Sequence, residues 1–79
     1  MRLDKYLKVS RLIKRRTIAN EACDAGRVML NGKVAKASAV VKPGDRITIR
    51  FGEKDVLVEI VSIKENVRKD EAKEMFRYL

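Results

Sequence analysis

Histidine is absent from this chain of 79 residues, and cysteine occurs once, at Cys23. Without an imidazole, and with a single thiol, there is no donor set for a catalytic metal, so neither a metal nor any other cofactor is expected. No internal disulfide can form. Cys23 stands in Glu21-Ala-Cys-Asp24 on an expected helix, where acidic neighbours raise a thiol pKa, and it reads as a small packing residue. Aromatic residues are few, Tyr6, Phe51, Phe76 and Tyr78, which gives little support to recognition of single strands by base stacking. No signal peptide, spanning apolar run, low-complexity tract or repeat is visible, so a cytoplasmic protein with no membrane partner is expected. Asp4 is the one acid with the look of a base, but no second catalytic group stands at a recognisable spacing from it, and the chain is not expected to be an enzyme.

What is abundant is positive charge. Nineteen Lys and Arg face eleven acids, a net charge of +8 and a pI near 10, which favours polyanionic partners. The charge is uneven: residues 1–36 hold ten Lys or Arg and three acids, residues 37–79 nine and eight. At this length there is room for one small domain, residues 1–79, and function must lie on the surface of its single core.

The densest cationic stretch is Ser10-Arg-Leu-Ile-Lys-Arg-Arg-Thr-Ile-Ala19, with Arg11, Lys14, Arg15 and Arg16 inside six residues just before a helix start. Thr17 is a suitable N-cap, so the first free amides of the next helix point toward Lys14, Arg15 and Arg16. Cations sit badly at the positive end of a helix. A phosphate reverses the sign of that cost, because it gains from arginine forks, free amides and the dipole together.

Around this stretch the pattern reads α-α-β-β-β-β-α. Leu3, Tyr6 and Leu7 form one apolar stripe of a short first helix, with Arg2, Lys5 and Lys8 on the other side. Asp4 is placed to pair with Lys8 or to orient a neighbouring arginine. Leu12 and Ile13 anchor the loop, and a second helix is expected over Ile18 to Ala25, with Ile18, Ala22 and Ala25 inward and Gly26 as terminator. Beyond it the period becomes 2, and Asn31-Gly32 signals a type I′ hairpin between Val28-Met29-Leu30 and Lys33-Val34. Arg27, Asn31, Lys33 and Lys36 are candidates to continue the phosphate-binding surface. Lys42-Pro43-Gly44-Asp45 fits a type II turn. Ile47, Ile49 and Phe51 alternate along a strand, Gly52 to Asp55 is a polar turn, and Val56 to Ile63 a second strand. The tail spaces Ala72, Met75, Phe76 and Leu79 as an amphipathic helix over Arg68 to Leu79, to pack on its own sheet or dock on a partner.

The residues Arg2-Leu-Asp-Lys-Tyr-Leu7, Ser10-Arg11, Thr17, Ala22, Gly26-Arg-Val28, Asn31-Gly32, Val34 and Val41-Lys-Pro-Gly-Asp45 together resemble the RNA-binding domain first defined in small-subunit ribosomal protein S-four. The resemblance covers about Arg2 to Phe51, with a further strand and C-terminal helix over 56–79. It implies an α+β fold, two N-terminal helices packed on a small antiparallel sheet (the αL RNA-binding motif) with a short C-terminal helix. It also implies an RNA surface that includes Arg2, Arg11, Arg15, Arg16, Thr17, Asn31 and Lys33.

A narrower resemblance rests on the run Arg2 to Thr17 and on the tail Lys69-Asp-Glu-Ala-Lys-Glu-Met-Phe76, which are similar to the stand-alone RqcP-type factors of bacterial ribosome quality control. It implies binding to the large ribosomal subunit carrying peptidyl-tRNA, with 23S rRNA and P-site tRNA as partners. Assistance to an RqcH-like factor in alanine tailing is implied as well, by a protein that is a monomer off the ribosome. The related heat-shock recycling factors carry a longer basic C-terminal extension, which this chain lacks. A heat-shock-type recycling role and a general structured-RNA binder or chaperone are the alternatives.

Overall fold

The computed structural model describes all of residues 1–79. The first apolar stripe forms α1, Leu3–Val9, with Leu3, Tyr6 and Leu7 fully buried. Its first free amides are met by the chain itself: Leu3 N–H donates to the Ala39 carbonyl at 2.7 Å, and Asp4 N–H to that of Ala37 at 3.2 Å. A bridge between Arg2 and Val40, and a bond from Val41 N–H to the Met1 carbonyl, extend this seam. Arg2 is therefore held at the head of α1.

The second helix, α2, covers Arg16–Asp24 and begins before Thr17, with Arg15 as N-cap and no side-chain cap bond. Thr17 lies in the first turn and is not the cap. The inward face also differs from the expected one. Ala19 and Cys23 are buried, whereas Ile18 is 48% exposed and Ala25 is exposed; only Ala22 of the expected three packs against the core. The smallest side chains take the contact because α1 and α2 lie close, and a branched Ile18 would hold them apart. Gly26, at φ +75°, ends α2 in a Schellman motif: its N–H donates to Cys23 O, and Arg27 N–H to Ala22 O.

Five antiparallel strands follow: β1 (Val28–Leu30), β2 (Lys33–Val34), β3 (Arg46–Phe51), β4 (Lys54–Ile60) and β5 (Phe76–Tyr78), in the order β2-β1-β3-β4-β5. Asn31 and Gly32 both have positive φ, +53° and +83°, as a type I′ hairpin turn requires. Asp45 N–H closes the Lys42–Asp45 turn on the Lys42 carbonyl. β3 pairs with β4 from Arg46↔Glu59 to Phe51↔Lys54, so the connection is only Gly52-Glu53 and β4 spans Lys54–Ile60, not Val56 to Ile63. The Arg50 to Asp55 ion pair at 3.2 Å straddles this tight turn.

The largest departure is the tail. A helix, α3, occupies only Lys69–Ala72, and Phe76–Tyr78 is strand β5, in register with β4 as Val58↔Tyr78, Glu59↔Arg77 and Ile60↔Phe76. The open edge of β4 supplies hydrogen-bond partners that a solvent-side helix could not use, and the β-forming residues Phe76 and Tyr78 take them. Ala72, Met75 and Phe76 are buried as their spacing suggested, but Leu79 is 52% exposed. Ile47, Ile49, Val58 and Ile60 from the sheet share one core with Leu3, Tyr6, Leu7, Ala19 and Cys23 from the helices. No helix is long and apolar enough to cross a membrane.

Candidate nucleic-acid interface

Asp4 organises the cationic end of the helix pair. Its carboxylate, 3% exposed, accepts from Arg2 Nε at 3.2 Å and Arg2 Nη2 at 3.2 Å, from Arg16 Nη2 at 3.4 Å, from Asn20 Nδ2 at 3.3 Å and from the Lys5 amide at 2.8 Å. Burial pushes the Asp4 carboxyl upward, but the bonds from Asn20, Arg2, Arg16 and the Lys5 amide together hold it below its ordinary value. Of the two placements open to Asp4, the structure takes the arginine. A guanidinium has five N–H donors, so Arg2 keeps three for an outside ligand and Arg16 four, and both side chains are about half exposed.

The start of α2 has the opposite economy from the start of α1. No acceptor in the chain serves the amides of Arg16, Thr17 and Ile18, the first turn contains no acid, and Lys14, Arg15 and Arg16 surround it, all exposed. Free donors and cations thus converge on one surface, where a phosphate gains from both.

The other candidates fall into three groups. Arg2 and Lys36 line one groove with Asn20 and Ser38; Arg16 and Thr17 line a second with Asp4, Asn20 and Glu21. Lys8, Arg11 and Lys14 line a third hollow. Arg27 and Lys33 are exposed on the hairpin but border none of these. Lys5 is turned to the C-terminal segment, where it pairs with Glu65 and lowers the pKa of that carboxyl. The Asn31 side chain is occupied internally: Nδ2 donates to Asp45 Oδ1 at 3.1 Å, and Oδ1 accepts from Arg46 N–H at 2.9 Å.

Asn20 went unnoticed in the sequence. Its spacing of four from Arg16 was the available signal, since that spacing puts both on one face of α2. Cys23 is buried, its thiol pushed up to about 11 by desolvation first, then by Asp4 and Asp24, in keeping with a packing role.

Comparison with known proteins gives the family of the chain. The S4 domain matches residues 1–47. The chain is similar to the RQC P-site tRNA stabilizing factor of Halalkalibacterium halodurans, 63% identical across 96% of this chain and 86% of that protein. Its similarity to the factor of the same name from Bacillus subtilis is 57% across 100% and 92%. Among solved structures, heat shock protein 15 of Vibrio cholerae superposes with a TM-score of 0.93 at 35% identity, over 100% of this chain and 81% of that one. With the uncapped basic start of α2 and the Asp4 cluster inside the matched segment, the chain belongs to the S4 domain family, in the group formed by the RQC P-site tRNA stabilizing factors.

Proposed function

We propose that the chain is a non-enzymatic, cytoplasmic RNA-binding factor of ribosome quality control. In this role it holds P-site tRNA on the large ribosomal subunit, touching 23S rRNA as well, and supports alanine tailing of stalled nascent chains by an RqcH-like factor. The observation that carries this reading is the surface where Arg2 and Arg16, fixed by Asp4, meet the unfilled amides of α2. Donors held at fixed positions suit folded RNA, whose phosphates are also fixed, whereas a flexible strand must be ordered on binding and loses affinity by that entropy. The names of the relatives at 63% and 57% identity support the tRNA part of the reading. A recycling role of the heat-shock type is favoured by the TM-score of 0.93, but at the lower identity of 35%.

Gradient sedimentation at matched salt, with and without puromycin release of the nascent chain, tests the proposal. The protein is expected to travel with large subunits bearing peptidyl-tRNA in preference to empty ones. Indifference to puromycin would move the site to ribosomal RNA alone, and failure to sediment with either would favour a general structured-RNA binder. For the tailing step, loss of alanine tails from stalled chains in cells carrying Arg16→Ala is the expected result.

A further inference from the structure

We propose that Lys69, outside the S4 match, completes a phosphate-binding cradle with Lys8, Arg11 and Lys14, and that this cradle takes a backbone phosphodiester of folded RNA. The inference rests on the RNA-binding reading above and adds a second contact point to it. The four cations are the sole lining of a hollow of about 320 Å³. That is roughly the volume of ten liquid waters, enough for a phosphodiester with some hydration.

Three observations point the same way. None of the four has a carboxylate within 4.0 Å, although seven other cations of the chain do. Like charges gathered around one hollow repel, and an entering phosphate relieves that repulsion. No acid lines the hollow: Glu65 pairs with Lys5 and borders an adjoining hollow with Lys8 and Arg11 without bonding to either, and Glu71 approaches Arg68. Arg11 has φ +63°, a left-handed conformation that any L side chain adopts at a cost and that glycine usually occupies at a helix end. Keeping arginine there retains charge at the expense of backbone ease.

The position of Lys69 is set from both sides. Glu65 pairs with Lys5, and the Met75 carbonyl accepts from Tyr6 Oη at 2.8 Å, so the segment carrying Lys69 is tied to α1 before and after it. Lys8 is on the next turn of the same helix. The C-terminal segment thereby adds a cation to a surface otherwise built by the N-terminal half.

The test compares Lys69→Ala, Lys69→Arg, Lys73→Ala and Arg16→Ala for binding to purified large ribosomal subunits, once with peptidyl-tRNA in place and once after its removal. Circular dichroism checks that each variant is folded. Lys69→Ala is expected to weaken binding about five- to tenfold and to make the salt slope shallower by about 1. Lys69→Arg should stay near the parent, and Lys73→Ala, an equal change of charge on the same segment, should have a smaller effect. A loss on both arms assigns the phosphate to ribosomal RNA, and a loss only with tRNA present assigns it to tRNA; either supports the cradle. Equal losses for Lys69→Ala and Lys73→Ala, or none for Lys69→Ala on either arm, overturn it. If Arg16→Ala still weakens binding in that case, the RNA reading stands without the cradle, and if Arg16→Ala is also silent, the RNA reading falls with it.

Discussion

Asp4 shows how one buried acid can serve both fold and ligand. It leaves two arginines half exposed while fixing where their free N–H groups point. Asp4→Asn keeps the size but removes the charge that gathers Arg2 and Arg16, and is expected to cost about 1–3 kcal/mol of stability at pH 7. Because the folded carboxyl titrates below its ordinary value, its contribution is fully present above about pH 4, the unfolded value, and disappears as pH falls through the folded one. Urea titrations of parent and Asp4→Asn should therefore converge at the acid end; a constant gap down to pH 2 would contradict this account. Arg11 poses the opposite case. Arg11→Gly should raise stability by up to about 1 kcal/mol, the relief of the left-handed backbone less the entropy of glycine, while weakening RNA binding. A thermal melt and a binding titration on the same sample would show the two quantities moving apart.

At the level of elements, the C-terminal segment is fastened to α1 through side chains as well as to β4 through the pairing of β5. The Met75 carbonyl accepts from Tyr6 Oη, from Val61 N–H at 2.7 Å and from Ser62 N–H at 3.0 Å. Burial raises the Tyr6 phenol far above its usual range, so it remains neutral at any ordinary pH. Tyr6→Phe removes one of three donors and leaves no orphaned carbonyl, so the expected loss is modest, about 1 kcal/mol. Hydrogen exchange should report it as faster opening at Val61 and Ser62 with β1 and β3 unchanged. A loss several times larger would mean that the hydroxyl holds more than this one contact. The hairpin behaves as its dipeptide indicates, yet Asn31 does more than turn the chain: its amide clasps Asp45 and Arg46, joining the two turns at that end of the sheet.

For the whole molecule the governing quantity is the segregation of charge. Ten of the nineteen cations, and only three acids, fall in residues 1–36. If about five to seven phosphates are neutralised there, log K against log salt is expected to fall with a slope of roughly −4 to −6. A flat response would remove nucleic acid from consideration. Placement matters beyond the total: Arg15→Ala with Arg16→Ala should cost about 1–3 kcal/mol of binding with little change in Tm, since both side chains are exposed and Arg16 touches Asp4 at only 3.4 Å. Equal losses after replacing Lys54 and Lys64 would instead mean that net charge alone decides.

The amino-acid sequence by itself determined whatever depends on neighbours in the chain. The Leu3, Tyr6, Leu7 stripe, the Asn31-Gly32 turn, the end of α2 at Gly26 and the bare cationic start of α2 follow from local spacing and backbone preference, and the two N-terminal helices, the hairpin and the gathering of cations before α2 were legible for that reason. Tertiary structure decided the rest. Residues Ala72 to Leu79 carry a helical spacing and, within Phe76-Arg77-Tyr78, a strand alternation as well; the unpaired edge of β4 settles the choice, and that edge is invisible in the tail's own residues. The buried face of α2 passed to Ala19 and Cys23 because the separation between two helices selects for side-chain size. Asp4 reached Arg16, twelve positions away, and Lys69 reached the hollow of Lys8, Arg11 and Lys14, through packing that joins distant parts of the chain. Local periodicity carries no information about such encounters, because they are fixed by which surfaces are left to bury after the local elements have formed.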